Sequence, residues 1–515
     1  MHASGLGVHH RARVWPCIVL LALAGCSNVP PPRPVHITPV TFGPSTITPL
    51  PVTSADWTMY HANPARTGFV AAMPDPQNLS HLWAAHLDGA VYAEQLVING
   101  RALVATENDS LYGLDAQTGH VQWRTNVGTP VPLADLPCGD IDPLGITGTP
   151  VIDESTQAVY LDAMVGDASG PHHRIFALSL RDGSILPGWP VDVADALAAR
   201  GQRFNARFQN QRGALAVLDG RIYVPFGGHF GDCGDYRGWI IGICLQDPRD
   251  IVTWSTRGRG GGIWAPGGIS SEGRSLLVTT GNTLGATTWS DGEAVFRQSP
   301  QLRHSDRPQD FFAPSDWHAL DARDADLGGT NPLPLDVPAA AGSRPLVLAL
   351  GKDTRAYLLD RNNLGGIGGS VAAALVATYP IRTAPAAYPG GDGVFVAFQG
   401  QGSDCPAPRR DNNLTVLKIN AGSAPSIATA WCGAFKGEGS PVVTTTDGRS
   451  NPIVWIVGAE GDGRLHGYRG DTGEPLFPGG GQAEAMTGLR RFQTLLPAGG
   501  RLYVGADGRI YAFSP

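Results

Sequence analysis

The sequence predicts an all-β propeller, a ring of four-stranded antiparallel sheets, and three observations carry that prediction. A strand–turn–strand unit recurs along residues 56–515. Short β-branched runs alternate with turn residues throughout, in a chain holding 68 Gly and 42 Pro. Helical periodicity is almost absent; the best candidate, around Ala194–Arg200, is about two turns long.

The clearest copy of the unit runs from Leu111 to Trp123 as LYGLDAQTGHVQW. It reads as a strand, an Asp-x-x-Thr-Gly turn and a second strand ending in Trp. The same shape returns from Ile175 to Trp189, from Trp239 to Trp254, from Ala356 (AYLLDRNNLGG), from Leu414 to Trp431 and from Leu465, and IYAFSP closes the chain at Pro515. Most copies follow a second strand pair of the type GTPVID…AVYLDA. Such a sheet has two apolar faces and cannot bury them alone, whereas radial packing of several sheets covers both. The turn Gly supplies a positive φ, Asp bonds its own backbone, and the Trp is expected to wedge between neighbouring sheets. With a degenerate copy near residues 294–320, the count is eight blades; uneven spacing and that poor copy leave seven open. The strand after Gly508 is expected to complete a blade begun by the N-terminal strand.

The first fifty residues read differently. His9, His10, Arg11 and Arg13 precede an apolar run from Val14 to Ala24, shorter than the roughly 20 residues a spanning helix needs. Basic start, short apolar stretch and small residues describe a secretory signal over residues 1–25. Leu23-Ala24-Gly25-Cys26 resembles the bacterial lipobox, which implies lipidation of Cys26 and a membrane anchor through acyl chains. Ser27 in place of Asp implies sorting to the outer membrane. Residues 26–55 are Pro-rich and read as an extended tether, leaving 56–515 as the folded body.

A net charge of −7 and the lack of a basic stripe with interleaved aromatics disfavour nucleic-acid binding. The body is expected to be a monomer in the cell envelope. Cys138, Cys233, Cys244, Cys405 and Cys432 remain after the signal and lipidated positions. In an oxidising compartment disulfides persist. The expected pairs are Cys138–Cys233 and Cys405–Cys432, with Cys244 a buried free thiol, although spacing alone does not fix connectivity.

These units resemble the repeat of the pyrroloquinoline-quinone (PQQ) enzyme superfamily across nearly all of residues 56–515, and DWTMYHANPARTGF (Asp56–Phe69) looks like the entry segment of such propellers. The resemblance implies a quinone on the axis with a stacking Trp, a Ca²⁺ held by Glu and Asn, a catalytic Asp and a cationic residue at the quinone oxygens. GGGIW ending at Trp264, TTGN ending at Asn282 and LGKDTR containing Lys352 are similar to the segments carrying the Trp, the Asn and the cation.

The departures are as informative. In FGGHFGDCGDYRGW the Glu position falls on Cys233, so a metal would fall to Asn282 with Asp235, or Asp232 with a shifted loop. EAVFRQSP from Glu293 has no Asp where the base is expected, and Asp321, Asp324 and Asp326 match only a supporting stretch. There is no vicinal cysteine pair and no Cys-x-x-Cys-His haem motif. His172-His173 reads as a loop entering a strand, His229 as a satisfied loop residue, and Arg212 as a candidate for an anion in the central funnel.

The resulting expectation is a lipid-anchored binding or scaffold module with a degenerate quinone site. It would recognise a protein or small molecule through the loops Asp135–Ile146, Gly227–Arg237 and Gly258–Gly268. A PQQ/Ca²⁺-dependent dehydrogenase of alcohols or sugars is the alternative, and a propeller lipoprotein of outer-membrane assembly the third reading.

Overall fold

The repeat unit becomes the second hairpin of each blade. In the first copy, Ser110–Asp115 pairs antiparallel with Val121–Asn126. The Asp115 carboxylate accepts the backbone N–H groups of Gln117 and Thr118 at 3.0 and 2.9 Å, which fixes the turn. In this computed structural model residues 56–76, 79–340, 342–406 and 411–514 are described. The signal segment, Cys26 and the tether to residue 55 lie outside the described residues.

Eight sheets form. Their first, innermost strands are Leu96–Ile98, Val151–Asp153, Ala216–Leu218, Ser270–Ser271, Leu333–Ala339, Ala386–Pro389, Val442–Thr444 and Leu495–Ala498. These open blades 1 to 8. The degenerate copy is a true blade: Ala294–Gln298 pairs with Phe311–Ala313 in blade 4, across an inserted loop of residues 299–310. In blade 5 the copy from Ala356 is followed by a detour. Gly366–Ile367 pairs in parallel with blade 4, so the outer strand of blade 5 is Ala372–Leu375. The expected closure is present: Arg509–Ser514 pairs antiparallel with the N-terminal strand Ser80–His86, which supplies the outer strand of blade 8.

The repeated Trp and the repeated turn Gly explain each other. Trp83 of blade 8 lies on Gly119 of blade 1, Trp123 of blade 1 on Gly183 of blade 2, and Trp431 of blade 6 on Gly473 of blade 7. A Cβ on any of these glycines would overlap the indole. Each glycine also has φ between 72° and 76°, where a side chain is strained. At these three junctions one residue pair locks a blade to the next.

The entry segment occupies the axis. Trp57 exchanges backbone hydrogen bonds with Val97 of blade 1, and the carbonyls of Thr58, Pro64, Thr67 and Gly68 accept from Ile152, Ser271, Ala387 and Val443. Those donors lie on the innermost strands of blades 2, 4, 6 and 7, whose free edges would otherwise carry unpaired N–H groups. Arg66, with no solvent exposure, donates to the carbonyls of Tyr60, Leu215 and Ile269 at 3.0, 2.6 and 2.9 Å.

Both expected disulfides form, Cys138–Cys233 and Cys405–Cys432. Cys244 is buried as expected, but its thiol is not free. His172 and His173 also depart, lying inside the strand Gly170–Ser179 rather than in a loop. Alternation turns them to different partners. His173 is buried against Asp162 at 2.7 Å, and His172 meets Asp192 at 2.7 Å.

Candidate functional site

Strand direction places the candidate residues at one end of the ring. Loops between the second and third strands of a blade emerge at the same end as connections from an outer strand to the next blade. Lys352 and Asn282 lie in loops of the first kind, in blades 5 and 4; Trp264 and Asp326 lie in connections of the second kind. The loops Asp135–Ile146, Gly227–Arg237 and Gly258–Gly268 belong to the same end, and the Cys138–Cys233 disulfide staples the first two.

Trp264, Asn282 and Lys352 converge, and the point of convergence is Asp326. Its Oδ2 accepts from Trp264 Nε1 at 3.2 Å and pairs with Lys352 Nζ at 2.6 Å, while Oδ1 accepts from the Asn282 backbone N–H at 2.8 Å. Lys352 Nζ also pairs with Asp324 at 2.6 Å and lies over the indole of Trp264, 5.1 Å from the ring centroid. Burial pushes the Asp326 carboxyl above its ordinary pKa, with Lys352 opposing. Burial alone would lower the Lys352 ammonium, but the two carboxylates outweigh it and leave its pKa raised. The ion pair is thus held inside the protein, with the Asp326 side chain 3% exposed.

Further acids support this centre. Buried Glu293 accepts the Leu327 N–H at 2.6 Å through Oε2, and its Oε1 has no hydrogen-bond partner. Burial and the Asp326 charge raise its pKa well above the carboxylate norm. Asp321 anchors Thr283, next to Asn282, through backbone N–H and hydroxyl at 2.8 and 2.6 Å. Asp232 accepts from the Tyr236 hydroxyl, whereas Asp235, named with Asn282 for a metal, is exposed. The Asn282 side-chain amide makes no hydrogen bond among the described residues.

In the sequence Asp326 matches only a supporting acidic stretch, yet in the structure it is the hub. The available signal was positional, since Asp326 directly precedes the innermost strand of blade 5 just as Trp264 precedes that of blade 4. Arg212, the candidate for an anion, lines a small cavity. Beside it, Tyr60, Tyr92, Thr147, Thr149, Arg491 and Phe492 enclose the same space of about 20 Å³, and the Arg212 guanidinium lies 5.1 Å from the Phe492 ring centre. His229 is a satisfied loop residue, with Nε2 3.2 Å from the Arg207 carbonyl.

A flat ring on the indole face over which Lys352 lies would displace its ammonium from between two carboxylates. Among the described residues no three His, Cys, Asp or Glu side chains are grouped to hold a metal ion. No helix among them is long and apolar enough to cross a membrane.

Residues 75–224 match the family model described as outer membrane protein assembly factor BamB. No curated protein matches the chain. Among solved structures, the quinohemoprotein alcohol dehydrogenase of Comamonas testosteroni is similar at 16% identity and TM-score 0.63, covering 89% of this chain and 80% of that one. The quinohemoprotein alcohol dehydrogenase ADHIIG of Pseudomonas putida HK5 is similar at 14% identity and TM-score 0.65, covering 90% and 80%. A europium-containing methanol dehydrogenase shares 14% identity with a TM-score of 0.61, covering 90% and 98%. At these identities the likeness is one of fold. With its ring closed by both ends of the described body, the chain is an eight-bladed PQQ-like propeller, related in fold to the quinoprotein dehydrogenases and, over residues 75–224, to the BamB repeat.

Proposed function

We propose that the protein is a lipid-anchored binding propeller of the cell envelope, held at the outer membrane through Cys26, in which the quinone site survives only as a structural network. The observation that carries this reading is the seat of Lys352, whose ammonium lies over Trp264 and is paired to Asp326 and Asp324. The ion pair consolidates the axial end of blades 4 and 5. Recognition then falls to the loops around it, stapled by Cys138–Cys233, where Phe230 stands 67% exposed. A solvated aromatic on a disulfide-stapled loop is a suitable anchor for a partner surface.

The reading is tested by supplying the protein with Ca²⁺ and PQQ and following quinone absorbance and dye reduction with alcohols or sugars. Neither signal should appear at tens of micromolar PQQ, a concentration well above that of a tight cofactor site (about 1 μM). Sustained dye reduction would instead establish the dehydrogenase reading. One observation favours that second reading, namely the meeting of Trp264, Asn282 and Lys352 on a carboxyl that could serve as a base.

A further inference from the structure

The opposite end of blades 4 and 5 holds a second candidate site. Asn282 lies in the loop between the second and third strands of blade 4. The turn Glu272–Ser275 and the loop of residues 299–310 join its first to its second and its third to its fourth strands. In an antiparallel sheet these emerge at the other end. There they line a pocket of about 860 Å³ with Pro345, Arg361 and Asn362 of blade 5. That volume lies within the range of small-molecule sites.

Its walls are cationic in a protein of net charge −7. Arg274, Arg297, Arg303, Arg307 and Arg361 line it, against the carboxylates of Glu272 and Asp310. Two of the arginines are pre-oriented. Arg297 donates to the Arg361 carbonyl and to Asp310, both at 2.8 Å, and Arg361 is held by Asp336 outside the pocket. Asp310 is shared among Arg297, Arg307 and Ser305, so it cannot neutralise the group. Arg274 and Arg303 are exposed and pair with no carboxylate among the described residues. The Ser299 hydroxyl is shielded from solvent without a hydrogen-bond partner. Concentrating guanidinium groups at one concavity repels cations and costs stability unless an anion answers them. Their planar donor forks match phosphate oxygens two at a time.

We infer that this pocket binds a small molecule or headgroup carrying more than one phosphate group, independently of the axial site. The test uses the folded protein with two probes: inositol hexakisphosphate by titration calorimetry, and vesicles of cardiolipin, whose headgroup carries two phosphates, by co-flotation against phosphatidylcholine vesicles. The wild type should bind at least one probe, with affinity falling as salt rises through about 0.15 M. The rim variant Arg274→Glu/Arg303→Glu should weaken that binding by about tenfold or more, while Arg274→Gln/Arg303→Gln falls between. Binding of the soluble probe assigns a free polyphosphate, and binding of vesicles alone assigns a lipid headgroup. Failure of both probes with the wild type, or undiminished binding by the Glu variant, would overturn the inference. Both rim residues are exposed, so a loss cannot be ascribed to a disturbed core; an unchanged thermal transition of the variant serves as the check.

Discussion

Lys352 Nζ lies over the indole of Trp264, 5.1 Å from its ring centre, and the same carboxyl of Asp326 binds both residues. The arrangement is a closed triangle of indole, ammonium and carboxylate. Replacing Lys352 by Met leaves Asp326 buried without its cation, at a cost of about 3 kcal/mol near neutral pH. Because burial already raises the Asp326 pKa, acidification lets the carboxyl take up a proton and relieves the loss. Urea unfolding of the Lys352→Met variant should therefore lie closer to the wild type at pH 5 than at pH 8.

Arg66 ties the entry segment to blades 3 and 4 through the carbonyls of Leu215 and Ile269, with the Tyr60 carbonyl as a third acceptor. Arg66→Met strands those acceptors in the interior and should cost about 3 kcal/mol or more. The expected result is a lower thermal transition together with early amide exchange at Leu215 and Ile269. A transition unchanged from the wild type would mean that the entry segment is held by its backbone contacts alone.

Stability should fall as pH rises above neutrality. Burial, reinforced by the neighbouring Glu107 charge, pushes the Asp109 carboxyl up to about 9, and burial pushes Glu107 up to about 7. Between its ordinary value and that raised one, each group holds a proton in the folded chain that the unfolded chain has released, so folding weakens with pH. Buried His61, lowered to about 3, has the opposite slope, but only below its ordinary value of 6.5. Unfolding free energy measured from pH 6.5 to 9 should decline in the wild type and decline less in Asp109→Asn. Parallel curves would remove Asp109 as a source of the slope.

The blade repeat was legible in the sequence because turn chemistry and wedge Trp are local: Asp115, Gly119 and Trp123 fall within thirteen residues. Closure of the ring was legible for the same reason, since a lone final hairpin needs a fourth strand. The hub at Asp326 was not. It depends on which connections reach the axis, and that follows from blade geometry rather than from residue spacing. The arginine pocket was hidden likewise, its five guanidiniums being scattered from Arg274 to Arg361 and assembled only by the packing of blade 4 on blade 5. Cys244 was misjudged because an apolar run gives no sign of what its thiol meets.

The Lys352 ammonium covers one face of Trp264, and on the proposed reading no quinone displaces it. Quenching of tryptophan fluorescence by PQQ, with Ca²⁺ present, tests that reading in the wild type and in Lys352→Ala/Asp326→Asn, which removes the ammonium without leaving a buried charge unpaired, Asp324 being exposed. The account predicts no saturable quenching in the wild type and saturable quenching in the double variant. Saturable quenching in the wild type, abolished by the double substitution, would contradict it.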